Sequence, residues 1–280
     1  MNQKNKECMM IIDGKQIANT LKNEIKERVQ AMAVKPKVSA IILGEHPSSL
    51  SYLKMLEKTC IAVDFDYEIV SLPAETTLAE LLSTIDEKNN TSQVKGILVQ
   101  LPLPAHIDAS MVLDAIAPEK DLDGFHPLNA GHLFKGEKGI RPCTPSAVMY
   151  ILDKSGIDLK GKDVVVIGRS NIVGKPLAMM LLEQNATVTV CHSKTKALAE
   201  HTRRADIIVV AVGVPHFLTR EMVTEESIVI DVGTNMLNGK LTGDADFEAL
   251  KDYVKMITPV PGGVGPVTNA VLLNNALMNG

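Results

Sequence analysis

Gly168, Arg169, Ser170 and Gly174 sit in a short interval between two apolar runs, and their types suit a phosphate. Glycines let backbone N–H groups approach an anion, a helix N-terminus adds partial positive charge, and a guanidinium matches phosphate oxygens as a fork. The spacing is G-x-S-x-x-x-G rather than G-x-G-x-x-G, so alone it fits a plain strand–turn–helix corner equally well. The second position that bears on the chemistry is Cys191-His192-Ser193-Lys194. An NAD site usually carries an acid there for the ribose 2′-hydroxyl, and this chain has none. With Arg169 in the turn, the residues point to NADP, with Arg169 and Ser193 on its 2′-phosphate. The plainer alternative for Arg169 is a solvated loop residue.

The elements around these residues read as a strand–helix–strand unit. Val164–Ile167 is a short β-branched run suited to a buried parallel strand. A helical pattern starts at Gly174 and Pro176, with Leu177, Met180 and Leu181 on one face, and Thr187–Cys191 is the next strand. Upstream, Asp13 caps an amphipathic helix bearing Ile17, Leu21, Ile25 and Val29. Strands at Lys37–Leu43, Phe65–Val70 and Gly96–Gln100 alternate with helices at Ser48–Ala62, Thr77–Lys88 and from Asp108 to Ile116. Pro118–Pro145 is rich in Gly, Pro, His and Asp and reads as a long irregular loop, followed by a helix over Ser146–Ser155. Downstream, strands are expected at Ile207–Ala211, Ile228–Asp231 and Met256–Val260, with helices at Asp244–Leu250 and Asn269–Met278. The pattern predicts an α/β protein of two units around a cleft, with the boundary near Cys143–Asp163 and the second unit Rossmann-like.

At 280 residues, with 45% hydrophobic and 22% charged residues and a net charge of −4, the chain can bury a substantial core. No basic patch suits nucleic acid and no apolar run suits a membrane span. The N-terminus lacks the apolar core of a secretory signal and reads as a frayed extension before Met9 or Met10. Four scattered cysteines, without C-x-x-C, fit reduced thiols in the cytoplasm, and the seven histidines show no metal-type pairing.

Six stretches, in order, resemble the methylenetetrahydrofolate dehydrogenase/cyclohydrolase family: Gly96–Pro104 (GILVQLPLP), Lys120–His126 (KDLDGFH), Pro142–Pro145 (PCTP), Gly168–Ser170 with Val173–Pro176 (VGKP), Asp231–Gly233 (DVG) and Thr258–Thr268 (TPVPGGVGPVT). The resemblance implies a homodimeric enzyme of one-carbon metabolism. It would oxidise 5,10-methylenetetrahydrofolate with NADP on a Rossmann-like second domain over residues 144–266, and its last helix, 267–280, would return to complete a folate-binding first domain over residues 1–143. NADP contacts then fall on Gly168, Arg169, Ser170, Ser193 and Thr234. Asp123 matches the pterin-binding carboxylate, Gln100 a polar residue at the reaction centre, Tyr52 the stacking tyrosine, and Pro261, Gly262 and Gly263 part of a rigid wall along the folate. Each has a plainer alternative: a turn carboxylate, a strand-end amide, a helix residue at a domain edge, a tight loop before the last helix.

One position departs from the family. Its pattern places Lys four residues after the tyrosine, and here that position is Leu56. At ~100° per residue, Leu56 lies about 40° round the helix from Tyr52, whereas Lys54 and Lys58 lie roughly 200° and 240° away. Dehydrogenation mainly requires two carbons to be held together, but cyclohydrolysis requires proton transfers. The expectation is therefore a dehydrogenase whose cyclohydrolase activity is weak or absent. The alternatives are a fully bifunctional enzyme, a folate- and NADP-binding protein without catalysis, and an NADP dehydrogenase of a small keto or amino acid.

Overall fold

The computed structural model describes residues 10–44 and 47–278, so the expected N-terminal extension and Cys8 lie outside the described residues. In chain order the elements begin with β1 (Met10–Ile11), α1 (Gly14–Gln30), β2 (Lys37–Leu43), α2 (Pro47–Ala62), β3 (Asp66–Leu72), α3 (Leu78–Asn90), β4 (Val94–Val99), α4 (Ala109–Ala115) and α5 (Pro127–Lys135). They continue with α6 (Cys143–Lys154), β5 (Asp163–Ile167), α7 (Gly174–Glu183), β6 (Thr187–Cys191), α8 (Leu198–Thr202), β7 (Ile207–Val210), β8 (Ile228–Asp231), β9 (Asn235–Leu237), β10 (Lys240–Thr242), α9 (Phe247–Leu250), β11 (Met256–Ile257) and α10 (Val264–Asn275). The chain divides into two α/β units: Asn19–Cys143 with residues 269–278, and residues 10–18 with Thr144–Thr268.

The first unit is built on a three-stranded parallel sheet in the order β3-β2-β4. Central β2 is buried at every residue after Lys37, which is why it reads as an unbroken apolar run. Ile41, Leu43, Leu81, Ile85 and Val99 pack into one core. Helix starts follow local chemistry. The Asp13 carboxylate accepts from the N–H of Lys15 and Gln16, and Thr77 and Glu80 form a reciprocal capping box. The Lys120 ammonium donates to the carbonyls of Lys88, Asn89 and Thr91 at 3.1, 2.6 and 2.9 Å, closing the C-terminal end of α3. The last turn of α10 belongs to this unit, where Arg28 donates to the Asn274 side chain and the Leu277 carbonyl at 2.8 and 2.9 Å.

The second unit carries a six-stranded parallel sheet in the order β1-β11-β8-β7-β5-β6. Strands β7 and β8 and residues Val164–Ile167 are buried throughout, while edge strand β6 exposes Thr187, Thr189 and Val190. Val165, Ile167, Ile208, Val210, Val229, Leu250 and Ile257 form its core.

Several expectations change in detail. Residues 1–143 do not all lie in one unit, because Met10 and Ile11 pair with Met256 and Ile257. The interval expected to be irregular contains α5, with the His126 ring accepting from the Leu128 N–H, Pro127 in the first turn and Gly136 as a left-handed C-terminal residue. The hairpin β9–β10 is an addition, turning at Asn238-Gly239 with both residues at positive φ. The last helix runs over Val264–Asn275, starting and ending earlier than the expected Asn269–Met278.

Candidate functional site

Strand β5 delivers its C-terminal end to a turn that only glycine fits. Gly168 has φ +133°, and a Cβ there would stand 2.4 Å from the Ala211 carbonyl oxygen. A Cβ on Gly174 would stand 2.2 Å from the Gly168 carbonyl oxygen, so the turn closes on itself as α7 begins. Arg169 and Ser170 are left exposed at its tip. No acid occupies the first turn of α7, so nothing there offsets the helix-end charge. The Ser170 hydroxyl accepts from the Val173 and Gly174 N–H groups at 3.1 and 3.4 Å. Ser193 is exposed just beyond β6, whose Cys191 is in register with Ile167. Gly168→Ala is expected to cost roughly 2–4 kcal/mol from backbone strain and overlap together. Calorimetry checks this, and an unchanged unfolding temperature would contradict the geometry.

Two buried carboxylates organise the neighbouring loops. Asp231, at the end of β8, accepts from the N–H groups of Gly233, Asp244 and Ala245 at 2.9, 3.0 and 2.9 Å. Asp244 accepts from the N–H groups of Val212 and Gly213 at 2.6 and 2.9 Å and from the Asn235 amide at 2.9 Å. Burial pushes the Asp231 carboxyl up to about 6, a rise the three backbone donors oppose and the Asp244 charge augments. The pair ties the loops after β7 and β8 to the hairpin, and Thr234 sits exposed among these loops. Asp231 belongs to the DVG stretch legible in the sequence, whereas Asp244 carries no local signal, because its role depends on contacts far along the chain.

In the three-stranded unit, α2 carries Tyr52, half-buried, and Leu56, 2% exposed, on the side that also holds Leu53 and Cys60. Lys54 and Lys58 are exposed. Burial first, then the charges of Asp123 and Cys143, pushes the Tyr52 phenol above its ordinary range. Asp123 lies in a turn held by Asp121, whose carboxylate accepts from the Gly124 and His126 N–H groups at 3.1 and 2.8 Å and from Asn129 at 3.3 Å. Burial, then the Asp121 charge, raises the Asp123 carboxyl to about 7. Gln100 follows β4 and donates its side-chain amide to the Leu101 carbonyl at 2.8 Å. Pro261, Gly262 and Gly263 belong to the other unit, between β11 and α10, where a Cβ on Gly14 would meet the Gly263 carbonyl oxygen at 1.9 Å.

Residues 12–123 match the model of the tetrahydrofolate dehydrogenase/cyclohydrolase catalytic domain, and residues 142–279 match that family's NAD(P)-binding domain. The chain belongs to this family. Within the catalytic-domain match fall Tyr52, Leu56, Gln100 and Asp123; within the NAD(P)-binding match fall the Gly168 turn, Ser193, Thr234 and the Pro261–Gly263 segment. The chain is 49% identical to a "Bifunctional protein FolD" of Exiguobacterium sibiricum, over 96% of this chain and 98% of that one. It is 51% identical to another of Moorella thermoacetica, over 95% and 97%. Among solved structures, the bifunctional FolD of Campylobacter jejuni superposes with a TM-score of 0.93 at 46% identity, covering 96% of this chain and 98% of that one. The Trypanosoma brucei dehydrogenase-cyclohydrolase, solved with NADP and an inhibitor, gives 0.88 at 39% identity and 96% of each chain. The family thus accounts for both α/β units.

Among the described residues, no group of three or more His, Cys, Asp or Glu could hold a metal ion, and no helix is long and apolar enough to cross a membrane.

Proposed function

We propose that this chain is an NADP-dependent 5,10-methylenetetrahydrofolate dehydrogenase with little methenyltetrahydrofolate cyclohydrolase activity. The observation that carries the reading is α2, where Leu56 is buried four residues beyond Tyr52 and both nearby lysines are exposed; by the resemblance, that is where the family's pattern places its lysine. The residues fit the cofactor: Gly168 and Gly174 form a turn that a Cβ would fill, exposed Arg169 stands beside it, and no acid follows β6. NADP, when bound, supplies the hydride acceptor. The chain's own task is to orient the two partners and exclude water. Asp123 accepts paired donors from the pterin, Tyr52 packs against the substrate, and Gln100 offers a polar group at the reacting carbon.

Cyclohydrolysis demands a group that moves protons near neutral pH. Tyr52 and Cys143 are both held above their ordinary ranges, chiefly by burial, so neither ionises there. Asp123 does titrate near pH 7, but in this reading it is committed to the pterin. The second reading, a fully bifunctional enzyme, is favoured by the names of relatives at about half identity. One pair of assays separates them: NADPH formation from methylenetetrahydrofolate, and hydrolysis of methenyltetrahydrofolate. Ample dehydrogenation with hydrolysis near the uncatalysed rate supports the proposal; comparable turnover in both assays overturns its second half. We read the protein as a cytoplasmic homodimer, a state that sedimentation checks.

Arg169→Ala is expected to weaken NADP binding roughly ten- to hundredfold by removing charge-assisted bonds to the 2′-phosphate, worth about 1.5–3 kcal/mol. NAD binding should be unchanged. Equal weakening of both would remove Arg169 from the 2′-phosphate.

A further inference from the structure

Asn275 lies near the end of α10 and is 4% exposed. Its amide nitrogen donates to the Leu122 carbonyl at 2.9 Å and to the Arg141 carbonyl at 3.0 Å, and it lies 3.5 Å from the Cys143 sulfur. Both protons of one NH2 group are therefore used on two chain segments. Those segments meet beside Asp123. Gly124 has φ +74°, and a Cβ there would come within 2.7 Å of the Arg141 carbonyl carbon and the Pro142 nitrogen. The Cys143 thiol also donates to the Leu122 carbonyl at 3.1 Å, and the Cys143 N–H reaches the Asp123 carbonyl at 3.4 Å.

The seam is thus a stack of two backbone segments with the Asn275 amide bridging them from a helix much later in the chain. Leu122 is fully buried, so a carbonyl that lost its donors there would be left without solvent. Asp121 anchors the far side of the same turn through Gly124 and His126. Asp123 therefore sits between two fixed points, one supplied by its own loop and one by α10.

We propose that Asn275 is a positioning residue for Asp123, holding the turn so that the carboxylate meets the paired donors of the pterin. The inference rests on the reading of Asp123 as the pterin-binding carboxylate. Asn275→Leu keeps the size and removes both donors. It should lower kcat/KM for methylenetetrahydrofolate roughly ten- to hundredfold, mostly through KM, as expected when a binding group is displaced by about an ångström. The dissociation constant for NADP, measured by fluorescence titration, should not change. Asn275→Ser retains one donor, guards against a variant that fails to fold, and should give a smaller loss in the same direction.

A cycle with Asp123→Asn supplies the readout that a merely structural role would not move. In the double variant the Asn275 penalty should largely vanish, because the carboxylate it places is gone. Penalties that multiply, an equal loss of NADP binding, or an unchanged folate KM in the folded Asn275 variants would each overturn the inference. If Asp123→Asn alone leaves folate kinetics unchanged, the role assigned to Asp123 fails instead.

Discussion

Leu56→Lys is expected to raise methenyltetrahydrofolate hydrolysis by roughly 10²–10⁴-fold, the usual worth of a positioned general acid–base group. Helical geometry sets the direction: the substituted side chain starts one turn beyond Tyr52, and its four-carbon stem can run along the phenol while the amine reaches polar surroundings. Burial at this position, where Leu56 is 2% exposed, would lower the amine's pKa, and the Asp123 carboxylate, whose charge acts on Tyr52 one turn away, would restrain that fall. The result is an amine able to exchange protons nearer neutrality than a surface lysine. The cost is stability, because an ammonium replaces an apolar group on the side of α2 shared with Leu53 and Cys60. The unfolding temperature should fall while hydrolysis rises. A folded Leu56→Lys variant with unchanged hydrolysis would mean that proton transfer is handled elsewhere. Dehydrogenation should change little, since hydride transfer asks no proton of this position.

The nucleotide half was legible because its signals are local. Val164–Ile167 must be buried on both sides to justify four consecutive apolar residues, and Gly168 and Gly174 bracket an interval too short for another element. The charge argument from Arg169 and the absent acid needed no long-range contact. Other local signals of the same kind are Asn238-Gly239, a strong hairpin turn, and His126-Pro127 with Gly136, which bracket a short helix. What was illegible is non-local. Two residues, Met10 and Ile11, have no periodicity, and only their partner Met256–Ile257 makes them a strand. Asp244 and Asn275 look like ordinary surface-type polar residues until the fold buries them beside Asp231 and Leu122. The same limit applies to Asp121. It stands two residues before Asp123, and only the structure separates a loop-holding carboxylate with three donors from one with none of those bonds.

Asp123→Asn is expected to lower kcat/KM for methylenetetrahydrofolate by roughly 30- to 1000-fold, since bonds to a charged group are worth about 1.5–3 kcal/mol each and an amide can accept at only one atom. NADP binding should be untouched. The carboxyl titrates near pH 7, raised by burial first and by Asp121 second, with Tyr52 and Cys143 the other ionisable groups that sense it. Its ionised form accepts the pterin donors, so wild-type kcat/KM should fall about tenfold per unit of pH below that value, and the variant should lack this limb. Stability should run the opposite way. A carboxyl whose folded pKa lies above its unfolded value favours the folded state at low pH, and that contribution is lost as pH rises through about 7. Asparagine carries no charge to desolvate, so the variant should gain unfolding temperature relative to wild type at pH 8, and the gain should shrink at pH 5. Loss of activity with gain of stability is what a partly desolvated charge kept for a ligand predicts. If Asp123 were an ordinary turn carboxylate, its replacement would leave folate kinetics and their acid limb unaltered.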